Sequence, residues 1–214
     1  MRKTYAVFGL GRYGRAVATE LTAGGAEVLA VDINDETVTD SAAELPICKC
    51  ADVTDPEVIK RLGIANIDTV IVAMAGNLEA SVMATILCKE AGVNTVITKC
   101  ANDIHRKIYE KIGADKVIIP EKESGKRLAK NLLSSGFIDL VELSDNISMA
   151  ELDVRDDWVG KSPADLDLRR KYSINIVAIK TATAVDTLID PQLPLTKEMK
   201  LIVIADTSKL DSIK

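Results

Sequence analysis

Runs of apolar residues alternate with amphipathic stretches along the first 135 residues of the chain. The apolar runs are rich in Val and Ile and lack polar alternation, as in parallel strands that are covered on both faces. They predict strands at 4–9, 27–32, 46–50, 68–73, 95–98 and 115–119. The stretches between them predict helices at 12–23, 35–44, 55–62, 77–91 and 103–112. This alternation predicts an α/β fold with a doubly wound, parallel, Rossmann-like sheet.

After Pro120 the pattern predicts a longer helix from Glu121 to about Ser135, ended by Gly136, and a second short helix over 137–143. The remaining residues predict a small α+β domain with strands at 148–154, 174–180 and 201–205 and a helix at 165–172. We therefore expect a nucleotide-binding domain with a crossover helix at 1–135, a connecting helix at 136–144 and a small regulatory domain at 145–214. Because a core of fewer than about 80 residues is marginal, we expect the small domain to pair with another copy of itself.

A glycine-rich turn follows the first predicted strand and opens the first predicted helix. Gly9 allows the tight turn, Gly11 lets the backbone approach a phosphate, and Gly14 lets the helix pack closely on the strand. Free N–H groups at the helix start then face the phosphates. Asp32 ends the second strand. Its separation from Gly14 along the sequence is close to that expected for an acid that binds ribose hydroxyls. The pattern predicts an adenine-nucleotide site. The alternatives are a Rossmann-like fold with an empty site, and a helix-capping role for Asp32.

Other polar residues follow the carboxyl ends of later strands, which line the same crevice in such a fold. Asp52 and Thr54 follow the third strand, Gly76 and Asn77 follow the fourth, and Lys99 ends the fifth. A lysine at that place could meet a phosphate. Each of these residues also has a structural interpretation. Asp52 or Thr54 could cap the following helix, Asn77 could cap the next one, and Lys99 could be an exposed lysine at a strand end.

The composition narrows the functional class. The chain has 214 residues, 47% of them hydrophobic, and a formal net charge of −5 with acids and bases mixed along its length. This balance argues against non-specific nucleic-acid binding, which needs a basic face. No apolar run approaches the ~20 residues of a membrane span. The N-terminus enters a strand directly, without a signal-peptide pattern, so we expect a soluble cytoplasmic protein.

The cysteines give no sign of a metal site. Cys48 and Cys50 form a C-x-C pair whose side chains share one face of a strand, and Cys88 and Cys100 stand apart. A metal site would need more ligands, and His105 is the single histidine. We expect reduced, mostly buried cysteines and no metal bound through Cys or His.

A series of short motifs occurs along the chain, beginning with the glycine turn itself. They are VFGLGRYG at 7–14, AVD at 30–32, ADVT at 51–54, VIVA at 70–73, TKCAN at 98–102, IGAD at 112–115, PEKE at 120–123, DLRRKY at 167–172 and INIVAIK at 174–180. This series resembles the RCK family, the cytoplasmic regulatory subunits of Ktr- and Trk-type potassium uptake systems. The resemblance covers almost the whole chain, and the ordered series is far more specific than its first motif.

The resemblance implies an N-terminal domain that binds ATP, ADP or NAD(H), a helical crossover that exchanges between two subunits, and a C-terminal domain that senses a second ligand. It implies homodimers that close into a ring, expected to be an octamer, beneath a dimeric membrane-embedded potassium channel subunit. Nucleotide exchange in the ring would open or close the channel. We therefore expect a regulatory subunit at the inner face of the cell membrane, and not an enzyme.

The resemblance also implies cofactor roles for individual residues. Arg12 matches an arginine that contacts the terminal phosphate of ATP, as an arginine fork suits phosphate. Its alternative is an exposed arginine, which the dipole at a helix N-terminus disfavours slightly. Asp52 and Thr54 match an adenine-side loop, and the position of Lys99 is usually basic. Three further cofactor-binding residues fall within the matching motifs: Tyr13, Val53 and Ala73.

Glu121 stands at the start of the predicted crossover helix. A carboxylate that points at phosphates is repelled unless a divalent cation lies between them. The resemblance implies that Glu121 holds such a cation, Mg²⁺ or Ca²⁺, across the dimer interface. The alternative is an ordinary acid that the helix dipole favours.

In the C-terminal domain the resemblance implies a cyclic di-AMP site between two subunits, as some family members have. The matching positions are Leu168, Arg169, Asn175, Ile176 and Pro191. Asn175 would bind an adenine edge, Arg169 a phosphate, and Leu168 and Pro191 would line the base pocket. Arg170 stands where the family usually has a small residue, so the pocket departs from the family pattern there. The alternative is a domain-closing strand with one polar residue.

Two other functions compete with a regulatory subunit. An NAD(P)-dependent oxidoreductase needs a second domain with a substrate site and a proton donor, but here that domain is small and His105 lies in the nucleotide domain. No Tyr-x-x-x-Lys arrangement is present. A redox-sensing DNA-binding repressor needs a basic recognition helix, and the cluster at 169–171 is too short to supply one.

Overall fold

The computed structural model describes residues 3–133, 137–144, 146–206 and 208. The chain divides into two compact units, Met1–Pro120 and Glu121–Lys214. We expected the first domain to extend to residue 135 and to include the helix after Pro120, whereas that helix falls in the second unit. The division lies directly after the last strand of the first sheet.

The first unit is a six-stranded parallel sheet with helices between its strands. The strands are β1 (Thr4–Phe8), β2 (Glu27–Asp32), β3 (Cys48–Cys50), β4 (Thr69–Val72), β5 (Thr95–Lys99) and β6 (Lys116–Ile118). The helices are α1 (Arg12–Ala23), α2 (Asp35–Ser41), α3 (Pro56–Arg61), α4 (Leu78–Glu90) and α5 (Asp103–Lys111), with a 3-10 turn at Ile64–Asn66. The strand order is β3-β2-β1-β4-β5-β6. The predicted doubly wound sheet is confirmed, and its order reverses between β1 and β4.

Both faces of this sheet are buried, as its uninterrupted apolar strands predict. Ala6, Val7 and Phe8 of β1 are 0% exposed. Because side chains alternate across a strand, Phe8 joins one hydrophobic cluster and Val7 joins another. Val70 and Val72 of β4 belong to the cluster of Phe8. The central strands therefore form a rigid base for the loops at their carboxyl ends.

Side-chain caps begin four of the five helices in the first unit. The capping side chains are those of Asn34, Asp55, Asn77 and Asn102, each of which accepts a hydrogen bond from a first-turn N–H. Helix α1 differs, because Gly11 stands at its N-cap and supplies no side chain. The first N–H groups of a helix have no partner within the helix. At α1 no N-cap side chain binds them.

The second unit combines helix α6 (Pro120–Leu133) with an antiparallel sheet. The strands are β7 (Phe137–Glu142), β8 (Ile147–Asp153), β9 (Ile174–Lys180), β10 (Val185–Asp186) and β11 (Lys200–Asp206), in the order β10-β9-β11-β8-β7. Two short helices, α7 (Pro163–Leu166) and α8 (Leu168–Tyr172), and a 3-10 turn at Asp156–Trp158 lie between β8 and β9. The small α+β domain is confirmed. The predicted helix end at Ser135 and Gly136 lies outside the described residues.

The predicted short helix at 137–143, and with it the connecting helix at 136–144, is wrong. Residues 137–142 form β7, which pairs with β8 in an antiparallel hairpin. The apolar spacing of Phe137, Leu140 and Val141 fits a helix as well as a strand. Pairing with β8 decides between the two, and the N–H of Leu143 donates to the carbonyl of Ile147 over 2.8 Å to close the hairpin.

The helix predicted at 165–172 is two helices. Asp167 adopts a left-handed conformation with φ 45° and ψ 47° and separates α7 from α8. Ser162 begins α7 with a capping box, in which its side chain and that of Asp165 each accept from the other's backbone N–H. Ser173 ends α8, also with a positive φ. Left-handed backbone is uncommon outside glycine, and the sequence does not predict it at Asp167 or Ser173.

Among the described residues of the second unit, one hydrophobic cluster forms the core. Trp158 is 1% exposed, and its ring lies 6.0 Å from that of Tyr172. Leu201 and Val203 of β11 are 0% exposed. This core fixes α8 against the sheet and so positions the residues at the start of β9. Among the residues that the structure describes, no helix is long and apolar enough to cross a membrane.

Candidate functional site

A cavity of about 390 Å³ opens in the first unit where the strand order reverses. Crevices at such a reversal are the usual ligand sites of doubly wound sheets, and the volume lies in the range of small-molecule sites. The sequence-predicted residues that line it are Gly9, Gly11, Asp32, Asp52, Val53, Thr54, Ala73, Gly76 and Asn77. The structure thus brings together residues from the ends of β1, β2, β3 and β4.

Glycine occupies the three positions of the turn for different reasons. Gly9 has φ +89°, and a Cβ there would lie 2.7 Å from Cγ of Met74. A Cβ on Gly14 would lie 1.9 Å from the carbonyl oxygen of Gly9, so α1 can approach β1 only without a side chain. Gly11 has no such neighbour within 4 Å of a built Cβ, and it lines the cavity. The protein itself does not require glycine at position 11, whereas a phosphate on the backbone would.

Asp32 holds the glycine turn from the end of β2. Its Oδ2 accepts a hydrogen bond of 2.6 Å from the N–H of Leu10, and its Oδ1 accepts one of 2.9 Å from the N–H of Asn34. The N-cap of α2 is Asn34, so the capping interpretation of Asp32 is wrong. A carboxylate has about four lone-pair sites, and the two backbone bonds leave acceptor capacity for ribose hydroxyls.

The loop after β3 is held by its own side chains. Oδ1 of Asp52 accepts from the N–H of Thr54 over 2.9 Å and from its hydroxyl over 2.7 Å. These bonds from the Thr54 hydroxyl and N–H hold the pKa of Asp52 below its ordinary value. Helix α3 is capped by Asp55, so neither Asp52 nor Thr54 is its cap. The loop presents a fixed polar edge to the cavity.

Asn77 caps a helix and also lies in the wall of the cavity. Its Oδ1 accepts from the N–H of Ala80 over 3.0 Å and caps α4, and the residue also lines the cavity. The sequence analysis missed several apolar lining residues, above all Ile33, which is 69% exposed, and Met74. Both directly follow predicted site positions at strand ends, and that adjacency was the available signal. The exposed side chain of Ile33 adds apolar surface to the cavity beside Asp32.

Four sequence-predicted residues do not line the cavity. Gly14 lies beneath the turn, buried against Gly9. Arg12 is exposed at the start of α1. Nζ of Lys99 lies 5.4 Å from the centre of the Tyr13 ring, a cation–π distance. Arg12, Tyr13 and Lys99 therefore supply charge and an aromatic face near the glycine turn, outside the walls of the cavity.

Glu121 is the second residue of α6 and belongs to the second unit. Together with Glu123 it places acids in the first turn of the helix, where the dipole favours them. Within the described ranges, no three His, Cys, Asp or Glu side chains are grouped as a metal site. Of the four cysteines, Cys88 and Cys100 are buried as expected, whereas Cys48 is half-buried and Cys50 is exposed. Burial raises the pKa of the Cys88 thiol to about 12.

A second cavity, of about 310 Å³, lies in the second unit between α7, α8 and the start of β9. It is lined by all of the residues predicted for the C-terminal site: Leu168, Arg169, Asn175, Ile176 and Pro191. Leu168 is 3% exposed and forms part of the floor, while Arg169 and Asn175 are exposed at the rim. Arg170 does not line the cavity, so the size of the Arg170 side chain does not reduce the cavity volume.

A left-handed residue and a backbone hydrogen bond shape this second cavity. Asp167 lines it, and its carbonyl accepts from the N–H groups of Arg170 and Lys171, which starts α8. The N–H of Ala164 donates to the carbonyl of Pro191 over 2.9 Å and fixes the opposite wall. The sequence analysis missed Asp167 and Ala164, because their place depends on the break between the two short helices.

Comparison with known proteins follows the same division of the chain. The TrkA-N domain matches residues 5–120 and the TrkA-C domain matches residues 149–214. Ktr system potassium uptake protein C of Bacillus subtilis is 43% identical over 180 residues, which cover 84% of this chain and 81% of that protein. Ktr system potassium uptake protein A of Vibrio alginolyticus is 33% identical over 208 residues, covering 97% and 94%.

Among solved structures, the GsuK channel bound to NAD superposes with a TM-score of 0.65 and 17% identity. The match covers 98% of this chain but 38% of that one, and at this identity it shows the fold alone. The fold is that of an RCK protein, with a Rossmann-like domain followed by a small antiparallel one. The chain belongs to the TrkA-N/TrkA-C family, which includes the Ktr potassium uptake proteins.

Proposed function

We propose that this chain is a non-enzymatic regulatory subunit that gates a potassium uptake channel in response to ATP and ADP. The observation that carries the proposal is Gly11, which lines the crevice although no protein atom requires a glycine there. The names of the relatives, Ktr system potassium uptake proteins, support the potassium system. The channel partner would lie in the cell membrane, with this subunit at its cytoplasmic face.

The nucleotide would lie across the crevice in one orientation. Its phosphates would meet the uncapped N–H groups of α1, its ribose would meet Asp32, and its base would lie between Ile33 and the loop at Asp52. Arg12 projects from the first turn of α1 and would contact a terminal phosphate. A dinucleotide has no terminal phosphate at that point, which is why we favour ATP and ADP over NAD.

Assembly would complete the phosphate end of the site. We propose homodimers within an octameric ring, in which Glu121 of one subunit and the nucleotide of its partner hold Mg²⁺ or Ca²⁺. Leu128 and Leu132 of α6 are 58% and 76% exposed. This exposed apolar surface supports an association through the helix. Nucleotide exchange would then change the packing of the dimer, and the ring would pass that change to the channel.

The cavity of the second unit would bind cyclic di-AMP across a two-fold axis. Two copies of Arg169 and Asn175 would meet one symmetric ligand, as an isologous interface requires. The guanidinium suits a phosphate, and an asparagine amide suits an adenine edge. The buried side chain of Leu168 would support the base from below.

The nucleotide proposal is tested by mass spectrometry of the nucleotide released from the purified chain, followed by calorimetric titration. We expect ATP or ADP to be released and to bind at micromolar affinity or tighter, with NADH no better. A tenfold preference for NADH, about 1.4 kcal/mol, would contradict the role given to Arg12. Turnover of NAD(P)H with any carbonyl substrate would instead support an oxidoreductase.

Light scattering tests the assembly. We expect a dimer or a larger ring at micromolar concentration, and a change in its distribution when ATP and Mg²⁺ are added. Glu121→Gln should blunt that change, while Glu90→Gln on α4 should not. A monomer under these conditions would rule out both the ring and the shared cation.

A further inference from the structure

The second unit contains another cavity, of about 310 Å³, that the proposed function does not use. It lies beside the β9–β10 hairpin and the segment that follows it. Its apolar lining residues are Ile179, Ala184, Leu188, Ile189, Leu193 and Met199. The volume is at the lower end of the range for small-molecule sites, so the cavity suits a small ligand.

Apolar surface is exposed at the mouth of this cavity. Leu188 is 88% exposed and Leu193 is 36% exposed, and Val185 beside them is 55% exposed. Covering such surface is favourable and roughly proportional to the area removed from water. Met199, which is half-buried at the wall, is an unbranched side chain that adapts to different ligand shapes. These features favour a ligand with an aliphatic part.

The polar lining of the cavity is acidic. Oδ1 of Asp186 accepts from the N–H of Leu188 over 2.8 Å, and Oδ1 of Asp190 accepts from the N–H of Gln192 over 2.9 Å. These bonds orient both carboxylates. Neither carboxylate has an ion-pair partner among the residues that the structure describes. The third polar lining residue, Thr181, uses its hydroxyl on the carbonyl of Ala184.

The lysines that are close in sequence bind other acids. Nζ of Lys180 lies 2.8 Å from Oε2 of Glu151, and Lys197 forms an ion pair with Asp156. Two oriented carboxylates therefore stand beside an apolar cavity with no described cation of the chain to neutralise them. The charge that complements this rim is positive.

We propose that this cavity binds a small primary alkylammonium ion. The alkyl chain packs against Ile179, Ile189 and Met199, and the ammonium group meets Asp186 and Asp190 at the rim. Because both carboxylates are exposed, charge contributes modestly. Burial of the chain supplies most of the affinity, and the carboxylates select a cation over a neutral or anionic group of the same length.

Methyl NMR of the full chain tests the site with butylammonium and hexylammonium as probes and with hexanol and hexanoate as controls. We expect shifts at Ile179 and Met199, which line this cavity and not the other, and at Ile189, which lines both. Ile176 serves as the internal control, since it lines the other cavity of this unit and not this one. Each added methylene should strengthen binding by about three- to fourfold. Hexylammonium should bind about two- to fivefold more tightly than hexanol, and hexanoate should bind most weakly.

Variants separate the two parts of the site. Asp186→Asn with Asp190→Asn keeps the turn geometry and should remove the preference for the ammonium probe. Glu90→Gln removes one acid in the first unit and should leave the preference unchanged. Ala184→Leu should fill the cavity and weaken every six-carbon probe. Equal binding of hexylammonium and hexanol, or shifts that avoid Ile179 and Met199, would overturn the proposal.

Discussion

The carboxylate of Asp32 accepts a hydrogen bond of 2.6 Å from the backbone N–H of Leu10, inside the glycine turn. The acid expected to bind ribose therefore also holds the loop expected to bind phosphate. Its other oxygen accepts from Asn34 at the start of α2. Asp32 thus joins the ends of β1 and β2, and a change there affects both the turn and the ligand.

Substitution of Asp32 should separate these two roles. Asp32→Ala leaves the N–H of Leu10 without its partner and should lower the free energy of unfolding by about 1–3 kcal/mol. Asp32→Asn keeps an acceptor oxygen and should retain most of that stability. It loses charged acceptors for ribose, so ATP, ADP and NADH should all bind about tenfold or more weakly.

The matched ligand for this test is 2′-deoxy-ADP. Because it lacks one ribose hydroxyl, its affinity should change less than that of ADP in Asp32→Asn. Calorimetry on both proteins measures the difference. Equal losses for both ligands would show that Asp32 acts through the turn alone.

Alanine substitutions at two glycines of the same turn should have opposite effects on stability and on nucleotide binding. Gly14→Ala forces a Cβ against the carbonyl of Gly9, so α1 must move and stability should fall by about 1–3 kcal/mol or more. Gly11→Ala meets no protein atom and should leave the midpoint of urea unfolding almost unchanged. It should nevertheless weaken nucleotide binding tenfold or more, since the methyl group occupies the place of a phosphate. Full binding by Gly11→Ala would remove the main support for the nucleotide site.

The sequence was a good guide to the first unit because local pattern and tertiary structure agree there. Uninterrupted Val and Ile runs, such as β4, have one stable environment, which is a sheet buried on both faces. The lining of the crevice was also predictable in large part, because strand ends meet at one edge of the sheet. The hydrogen bond from Leu10 to Asp32 was not predictable, since it depends on the three-dimensional path of the turn.

The structure of the second unit was harder to predict from the sequence, for a physical reason. Residues 137–142 have a spacing that suits either a helix or a strand, and only β8 beside them decides. The left-handed Asp167 breaks a helix that helical periodicity predicts as continuous. Leu168, Arg169, Asn175, Ile176 and Pro191 were nevertheless named from a family resemblance, and the structure places them around one cavity.

Arg12 should distinguish ATP from AMP. It is exposed, and among the described residues it has no hydrogen-bond or ion-pair partner, so Arg12→Gln should change stability by less than about 0.5 kcal/mol. ATP affinity should fall about tenfold more than AMP affinity if the guanidinium contacts a terminal phosphate. Arg15→Gln is the control, because Arg15 binds Glu44 over 2.9 Å and ties α1 to the segment after α2. That variant should lose stability and keep its nucleotide preference.

The cavity at Arg169 and Asn175 should respond to cyclic di-AMP in a thermal-shift measurement on the full chain. A ligand that binds only the folded state stabilises it by about 2.7 kcal/mol at a hundredfold excess over its dissociation constant. The shift should disappear in Arg169→Ala and in Asn175→Ala. Arg170→Ala removes the neighbouring charge outside the cavity and should keep the shift. No shift in the parent chain at high micromolar ligand would leave this domain with a role in dimerisation only.

Glu151 should make the stability of the second unit depend on pH. Its side chain is 12% exposed, Lys180 lies 2.8 Å from Oε2 and Lys200 lies 3.3 Å from Oε1. The hydrogen bond from Lys180 is the main cause that lowers the pKa of Glu151 from 4.5; burial opposes it and Lys200 adds to it. A lowered pKa means that the folded state binds the proton more weakly than the unfolded state. The stabilisation is therefore complete above about pH 4.5 and is lost as the pH falls through the folded pKa.

Urea unfolding of Glu151→Gln against the parent chain measures this contribution. At neutral pH the variant should be less stable by about 1–2 kcal/mol, since it loses hydrogen bonds to charged groups, and the difference should shrink as the pH falls below about 4. Asp153→Asn is the matched control, because that carboxylate is 59% exposed and lies 3.7 Å from Lys200, a distance at which a surface pair contributes little. A loss in Glu151→Gln that is the same at every pH would mean that the side chain stabilises β8 by packing and not by charge.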